Sequence, residues 1–307
     1  MCVAAAVIQR PDGSFLLGQR ASDTFYPGYW EFPGGKCEPG EAPRVALVRE
    51  LSEELGIEVR RCYPWIARDY VYPHAHVKLH FFRVTAWDGE ITDHIHSALA
   101  WQLPGRRAVE PMLPANAPVL RSLSLPDFYG ITHAGQVGVP TQLAELKTAL
   151  AGGLKLVQVR EPLLPTPERA AFAEQAVALC QAHAARVLIN SDIDLAASVG
   201  ADGVHLSATA LSASRRRPPL PLVGASCHDE TDLAHAASLG LDFVVLGAVK
   251  PTPSHPGHPG LGWDRFAGLI RDYPLPAYAL GGLRREDLVQ AWECGAHGVA
   301  ALRAAWG

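Results

Sequence analysis

Three glutamates, Glu50, Glu53 and Glu54, stand close together in a segment of helical composition. At about 100° per residue they fall within an arc of about 100°, with Val45, Val48, Leu51 and Leu55 mainly on the other side. Like charges at that spacing repel and raise one another's pKa, so the cluster costs stability unless a cation neutralises it. Carboxylate oxygens suit a hard divalent ion such as Mg²⁺ or Mn²⁺, and Mg²⁺ commonly shares its shell with substrate phosphates. The chemistry this predicts is phosphoryl transfer to water. A solvated acidic helix face is the alternative for three glutamates taken alone.

The surrounding pattern is longer than the cluster. From Gly35 to Ile57 it reads G-x5-E-x7-R-E-U-x-E-E-x-G-U, with U a bulky aliphatic residue. This resembles the Nudix box at every fixed position. The resemblance implies a metal-dependent pyrophosphohydrolase with Glu50, Glu53 and Glu54 as metal ligands and the Gly34 carbonyl completing the shell. It further implies that Arg49 orients the glutamates and that Glu41 braces the loop before the helix. Glu53, Glu50 and Arg49 are then the catalytic candidates, and Mg²⁺, with Mn²⁺ as substitute, is the expected cofactor.

Three further runs resemble the MutT type of that family, which removes pyrophosphate from oxidised purine nucleoside triphosphates such as 8-oxo-dGTP. They are Gln19-Arg20-Ala21, Trp30-Glu31-Phe32-Pro33-Gly34-Gly35-Lys36 and Pro114-Ala115-Asn116-Ala117-Pro118-Val119. By resemblance, Arg20, Phe32 and Asn116 bind the nucleotide. The Asn116 amide offers a donor and an acceptor to one base edge, although an N-cap for the helix that follows is its other reading. One position departs from the family: Ile95 stands where a loop glutamate is expected, with Asp93, His94, His96 or Glu53 left to take that role. His74 and His76 read as ordinary polar surface.

A second set of motifs lies beyond residue 128. Gln158-Val159-Arg160-Glu161, Gly203-Val204-His205-Leu206, Gly224-Ala225-Ser226-Cys227-His228, the run from Leu246 to Ser254, and Ala279-Leu280-Gly281-Gly282-Leu283 resemble the thiamine phosphate synthase and TenI family. The resemblance implies phosphate binding at Gly281 and Gly282 and proton transfer by His228 on a thiazole phosphate. It also exposes losses: Pro162 replaces a lysine, Ser191 stands where a metal-binding aspartate is expected, and Ala210 falls near the second. Asp192 is one residue late. Synthase chemistry is therefore not expected, and an isomerase or a ligand-sensing barrel binding a thiazole or pyrimidine phosphate is. The loop His255 to Gly260 reads as a lid.

The elements that must carry these residues differ along the chain. Residues 1–124 show short apolar strands (Val3 to Gln9, Phe15 to Gln19, Val77 to Ala86) around a helix from Ala42 to Leu55, with a closing helix from Asn116 to Leu123. This is an α+β pattern. Residues 128–307 repeat strand, loop and helix, with strands at Tyr129–Thr132, Leu156–Arg160, Val187–Asn190, Gly203–Leu206, Leu222–Ala225, Phe243–Gly247, Ala277–Leu280 and Gly298–Leu302. Eight such steps close into a (βα)8 TIM barrel, whose sites form where the strands end.

Bulk properties agree with two domains. The chain has 307 residues, 48% hydrophobic and 19% charged, with a formal net charge of −4. That balance gives no field to hold a nucleic acid polymer, and Arg215-Arg216-Arg217 reads as a solvated loop. No run approaches the ~18 apolar residues of a membrane span. The six cysteines show no C-x-x-C pair, which fits a reducing cytoplasm. The expected partners are small molecules, a nucleotide and a thiazole or pyrimidine phosphate; nothing fixes an oligomeric state.

Overall fold

A computed structural model describes every residue except His74, Arg107, 253–256, His258 and Gly307. The chain divides into two compact units, Met1–Leu125 with Arg271–Pro274, and Pro126–Ile270 with Leu275–Gly307.

The first unit is α+β. One sheet pairs β1 (Cys2–Ile8) in parallel with β5 (Ala75–Asp88), which runs antiparallel to β4 (Glu58–Tyr72). A second, antiparallel sheet has the order β3 (Trp30–Glu31), β2 (Phe15–Gln19), β6 (Ala98–Gln102). Helix α1 (Pro43–Leu55) packs on β1 and β4, and α2 (Ala117–Leu123) closes the unit against the core around Phe15, Phe32 and Phe81. Proline at the first position starts α1, and Gly56 ends it in a left-handed turn with φ 67°, its N–H donating to the Ser52 carbonyl.

Strand β4 has 15 residues and was not expected from the sequence. Pro64 and several charges interrupt its apolar alternation, and the structure absorbs them in register shifts at Val59/Arg61, Arg61/Cys62 and Pro64/Ala67. A bulge slips the inside–outside alternation, so a period-2 pattern disappears from the sequence while the strand persists. The short β3 and β6 were also unpredicted.

The second unit is a closed barrel of eight parallel strands, as expected. In order around the barrel they are β10 (Gly203–Leu206), β11 (Leu222–Cys227), β12 (Phe243–Gly247), β13 (Ala277–Leu280), β14 (Gly298–Ala301), β7 (Phe128–Ile131), β8 (Leu156–Val159) and β9 (Arg186–Asn190). Most of these strands are buried along their whole length, the usual condition of parallel strands covered on both faces. Tyr129, Phe243 and Tyr278 meet inside the barrel with ring centroids 5.4–5.7 Å apart.

The described residues contain no helix long and apolar enough to cross a membrane. The proposed lid from His255 falls largely outside the described residues, as does His74, whereas His76 is exposed beside Asp69.

Candidate functional site

Helix α1 turns its acidic residues differently from the expectation. Its buried residues are Ala46, Leu47, Leu51, Glu54 and Leu55, while Val45 and Val48 are exposed. Counting 100° per residue from Leu47 puts Glu50 and Glu54 between Ala46 and Leu47, on the inward side. The two valines lie opposite and face solvent. A carboxylate costs several kcal/mol to bury without compensation, so this inward side of the helix is not an ordinary solvated acidic face.

Glu54 is 8% exposed, and its Oε2 accepts the Gly34 N–H at 3.0 Å. Burial first, then repulsion from Glu50, Glu31 and Glu53, pushes its carboxyl up to about 8, against the opposing Gly34 hydrogen bond. Glu50 lies over Gly35: a Cβ there would sit 2.3 Å from its carboxyl carbon, so any larger residue would push the Glu50 carboxylate aside. Arg49 reaches Glu50 at 3.0 Å, Glu53 at 3.4 Å and Glu41 at 3.0 Å, and donates to the Lys36 carbonyl at 3.1 Å. Glu41 also accepts the Glu38 N–H, bracing the turn before α1.

Among the described residues no three His, Cys, Asp or Glu side chains converge closely enough to hold a metal ion. Glu50 and Glu53 are turned to the Arg49 guanidinium, which supplies the nearest positive charge. The donor set nevertheless fits a hard divalent cation: all the side chains are carboxylates, and burial followed by repulsion from Glu50, Glu31 and Glu53 disfavours the Glu54 charge, which a bound cation would offset.

Next to the acids lies a half-buried aromatic wall. Tyr72 packs on Tyr70 and Tyr26 at 4.5 and 5.6 Å between centroids, and Tyr26 on Tyr29 at 5.3 Å. Burial, then Tyr70 and Glu31, pushes the Tyr72 phenol up to about 12. Arg20 meets both Glu31 oxygens from one nitrogen at 2.6 and 2.7 Å, with its Nε on the Phe25 carbonyl. Burial raises the Glu31 pKa, opposed by Arg20. Glu31 and the tyrosines were not singled out in the sequence. Glu31 on β3 faces Gly18 of β2, which brings it within reach of Arg20 just past the end of that strand.

Asn116 is 3% exposed and makes no capping hydrogen bond, so the helix-cap reading fails. Its preceding turn is a 3₁₀ segment, Pro114–Asn116, which already holds Asn116 in helical geometry where an N-cap would be extended. Phe32 packs between Phe15 and Phe81 at 5.9 and 5.8 Å and belongs to the core that supports this wall.

The loop around Ile95 folds over the end of α1. Thr92 and His94 donate their N–H groups to the Leu55 and Glu54 carbonyls, and the His94 ring contacts the Glu53 carbonyl at 3.0 Å. Asp93 accepts from Ile95 and His96 in its own turn, His96 is buried against Gly18, and Ile95 is exposed. Among the described residues none of these side chains hydrogen-bonds a carboxylate of Glu50, Glu53 or Glu54.

In the barrel, a polar chain crosses the interior. Asn190 donates to Gln158 at 3.2 Å, Gln158 to the Tyr129 hydroxyl at 3.3 Å, and His205 joins Tyr129 at 3.4 Å and Ser226 at 3.0 Å. His205 is fully buried and its imidazole is held down to about 3, by burial first and then by Arg160. It titrates near 6.5 when unfolded, so the unfolded chain takes up a proton that the native barrel refuses. Barrel stability should therefore fall by about 1.4 kcal/mol per pH unit as pH drops below about 6.5. Urea midpoints of wild type and His205→Asn between pH 6.5 and 5 check this; equal slopes would contradict it.

His228 follows β11 and is exposed. Its Nδ1 lies 3.0 Å from the Gly247 carbonyl, which can only accept, so Nδ1 carries the proton and Nε2 is left basic. Gly281 and Gly282 have φ 113° and 63°, and a Cβ on either would press on Ala248 or Pro251. Close packing of two loops thus requires both glycines before any phosphate is considered. Glu161 is buried and accepts the Ala134 and Gly135 N–H groups at 2.8 Å, which assigns the end of that motif to holding the β7 loop. Asp192 caps the following helix at the Leu195 N–H and pairs with Arg169, away from Ser191, whose hydroxyl accepts from Ser207.

The NUDIX domain matches residues 2–123 and thiamine monophosphate synthase matches residues 128–305. A CTP pyrophosphohydrolase of Escherichia coli is 41% identical over 126 residues, 39% of this chain and 88% of that protein. A thiamine-phosphate synthase of Thiobacillus denitrificans is 36% identical over 166 residues, 53% of this chain and 79% of that protein. Among solved structures, a thiamine phosphate pyrophosphorylase from Pyrococcus furiosus is 23% identical, covering 58% of this chain and 86% of its own, with a TM-score of 0.49.

Proposed function

Because this chain belongs to the thiamine monophosphate synthase family through residues 128–305 and to the NUDIX family through residues 2–123, we propose that it joins two phosphate chemistries. Residues 1–124 hydrolyse a pyrophosphate linkage in a small ring-bearing molecule, either thiamine-related or a nucleoside di- or triphosphate. Residues 128–307 bind a thiazole or pyrimidine phosphate. The observation that carries the hydrolase reading is the inward-facing carboxylate Glu54, raised by burial and by Glu50, Glu31 and Glu53, beside a tyrosine wall suited to a flat ring.

In this reading Glu50, Glu53, Glu54 and the Gly34 carbonyl hold Mg²⁺ or Mn²⁺. When bound, the ion would polarise a phosphate oxygen and lower the pKa of an attacking water. Arg49 positions Glu50 and Glu53 through its two-sided contacts. Glu53, the most exposed of the three, takes the water proton as the water oxygen attacks one phosphorus and the bridging P–O bond breaks, the far side of the anhydride leaving as phosphate or pyrophosphate. The Tyr26, Tyr70 and Tyr72 rings stack the substrate's ring, with Arg20 and Glu31 at its edge.

The barrel has Ser191 and Ala210 where the resemblance requires metal-binding aspartates, which supports isomerisation by His228 Nε2 or ligand sensing over synthesis. Gly281 and Gly282 would hold the phosphate in either case. A second reading of the hydrolase, an 8-oxo-dGTP diphosphatase acting in mutation avoidance, is favoured by Asn116, whose side-chain amide is not spent on capping α2.

The test is cleavage of a panel containing thiamine pyrophosphate, CTP, dGTP and 8-oxo-dGTP with Mg²⁺. A kcat/KM at least about tenfold above the rest, a difference of about 1.4 kcal/mol in transition-state binding, for thiamine pyrophosphate or CTP supports the leading reading. The same margin for 8-oxo-dGTP, lost in Asn116→Ala, replaces it with the second. Cleavage of none of the panel overturns both.

A further inference from the structure

Two of the six cysteines lie opposite each other, beside the loop that carries Gly34 and Gly35. Val3 and Lys36 form an antiparallel bridge, flanked by Ala4 N–H to the Gly35 carbonyl at 2.9 Å and Cys37 N–H to the Cys2 carbonyl at 3.1 Å. That register makes Cys2 and Cys37 a directly facing cross-strand pair. Such hydrogen-bonded pairs have Cα atoms about 5.5 Å apart, and disulfides span about 4.4–6.8 Å. Both side chains are half-buried, and the two thiols are in hydrogen-bonding contact. Cys62, Cys180 and Cys227 are buried elsewhere.

We propose that Cys2 and Cys37 are a modification site: a vicinal cross-strand thiol pair that closes to a disulfide under hydroperoxide and clamps the Gly34–Lys36 loop to β1. The Cys2 sulfur attacks the peroxide oxygen, releasing water and leaving a sulfenic acid. The Cys37 sulfur then displaces the hydroxyl, its own proton leaving with it as a second water, so two thiols and one peroxide give one disulfide and two waters. Burial, with the Cys2 thiol beside it, pushes the Cys37 thiol up.

The clamp bears on the acidic site through two contacts. Lys36, bridged to Val3, gives its carbonyl to Arg49, and Gly34 gives its N–H to Glu54. Fixing Cys37 fixes the path between them. This consequence rests on the hydrolase reading, whereas bond formation does not.

The test treats the full-length protein with one equivalent of hydrogen peroxide, quenches it, and counts thiols after denaturation. Wild type should fall from six to four, with a peptide linking Cys2 to Cys37 in the mass spectrum that dithiothreitol separates. Cys2→Ser and Cys37→Ser, both near-isosteric, should show no such linked peptide while keeping the wild-type melting temperature. A Cys2 sulfinic acid without linkage, linkage between two chains, or a thiol count unchanged at six would each overturn the proposal. A linked pair with unaltered turnover would sustain the site and refute only the clamp's effect on hydrolysis.

Discussion

Glu53→Gln is expected to lower pyrophosphate cleavage by about 10³-fold, the scale of losing a positioned base, without disturbing the fold. Its side chain is 61% exposed and meets Arg49 at 3.4 Å. An amide of the same shape keeps the packing and removes only the charge, so a melting temperature near that of wild type is expected. Steady-state turnover with saturating Mg²⁺ measures the loss. Activity within tenfold of wild type would remove Glu53 from the chemistry. Glu50 is a poorer probe, because its carboxylate fills the space over Gly35 and its replacement would confound packing with catalysis.

The second large effect concerns stability and has the opposite sign to the usual mutation. The native Glu54 carboxyl titrates at about 8 but at about 4.5 in the unfolded chain. Between these values the folded state keeps a proton that the unfolded state has lost, so metal-free stability falls as pH rises from about 4.5 through 8 and levels off above. Glu54→Gln removes that penalty and should stabilise the metal-free protein at pH 8 by about 2 kcal/mol. The same substitution should abolish turnover and any rise in melting temperature on adding Mg²⁺. Denaturant titrations of both proteins in EDTA at pH 5 and pH 8 decide it: a flat wild-type profile, or a destabilised variant, would contradict the account. A site that costs stability when empty is the ordinary price of function.

Legibility varied with the kind of signal. The eight barrel strands were readable because parallel strands covered on both faces are short continuous apolar runs separated by helical spacing. Strand β4 was not, because its bulges and Pro64 erase alternation. The glutamate cluster was readable from spacing, but not which side of the helix packs: Val45 and Val48, grouped with Leu51 and Leu55 opposite the acids, are exposed, while Glu54 is buried. Hydrophobic patterning assigns carboxylates outward by default, and a functional site inverts that default. The pairing of Arg20 with Glu31 and the meeting of Tyr26 with Tyr72 depend on tertiary contacts between separate strands and loops, which no local pattern encodes. His205 lay inside a recognised motif, yet its place in a buried chain from Asn190 to Ser226 emerges only when the barrel closes.

The central claim is that the acidic face of α1 is a divalent-cation site serving hydrolysis. Mn²⁺ binding, titrated by calorimetry at pH 8 on wild type, Glu53→Gln and Glu54→Gln, tests it without relying on any substrate. The account predicts saturable binding to wild type, weakened at least about tenfold in each variant, the scale expected when a coordinating carboxylate is lost. Equal affinity in all three proteins would contradict it and return the cluster to an acidic surface neutralised by Arg49.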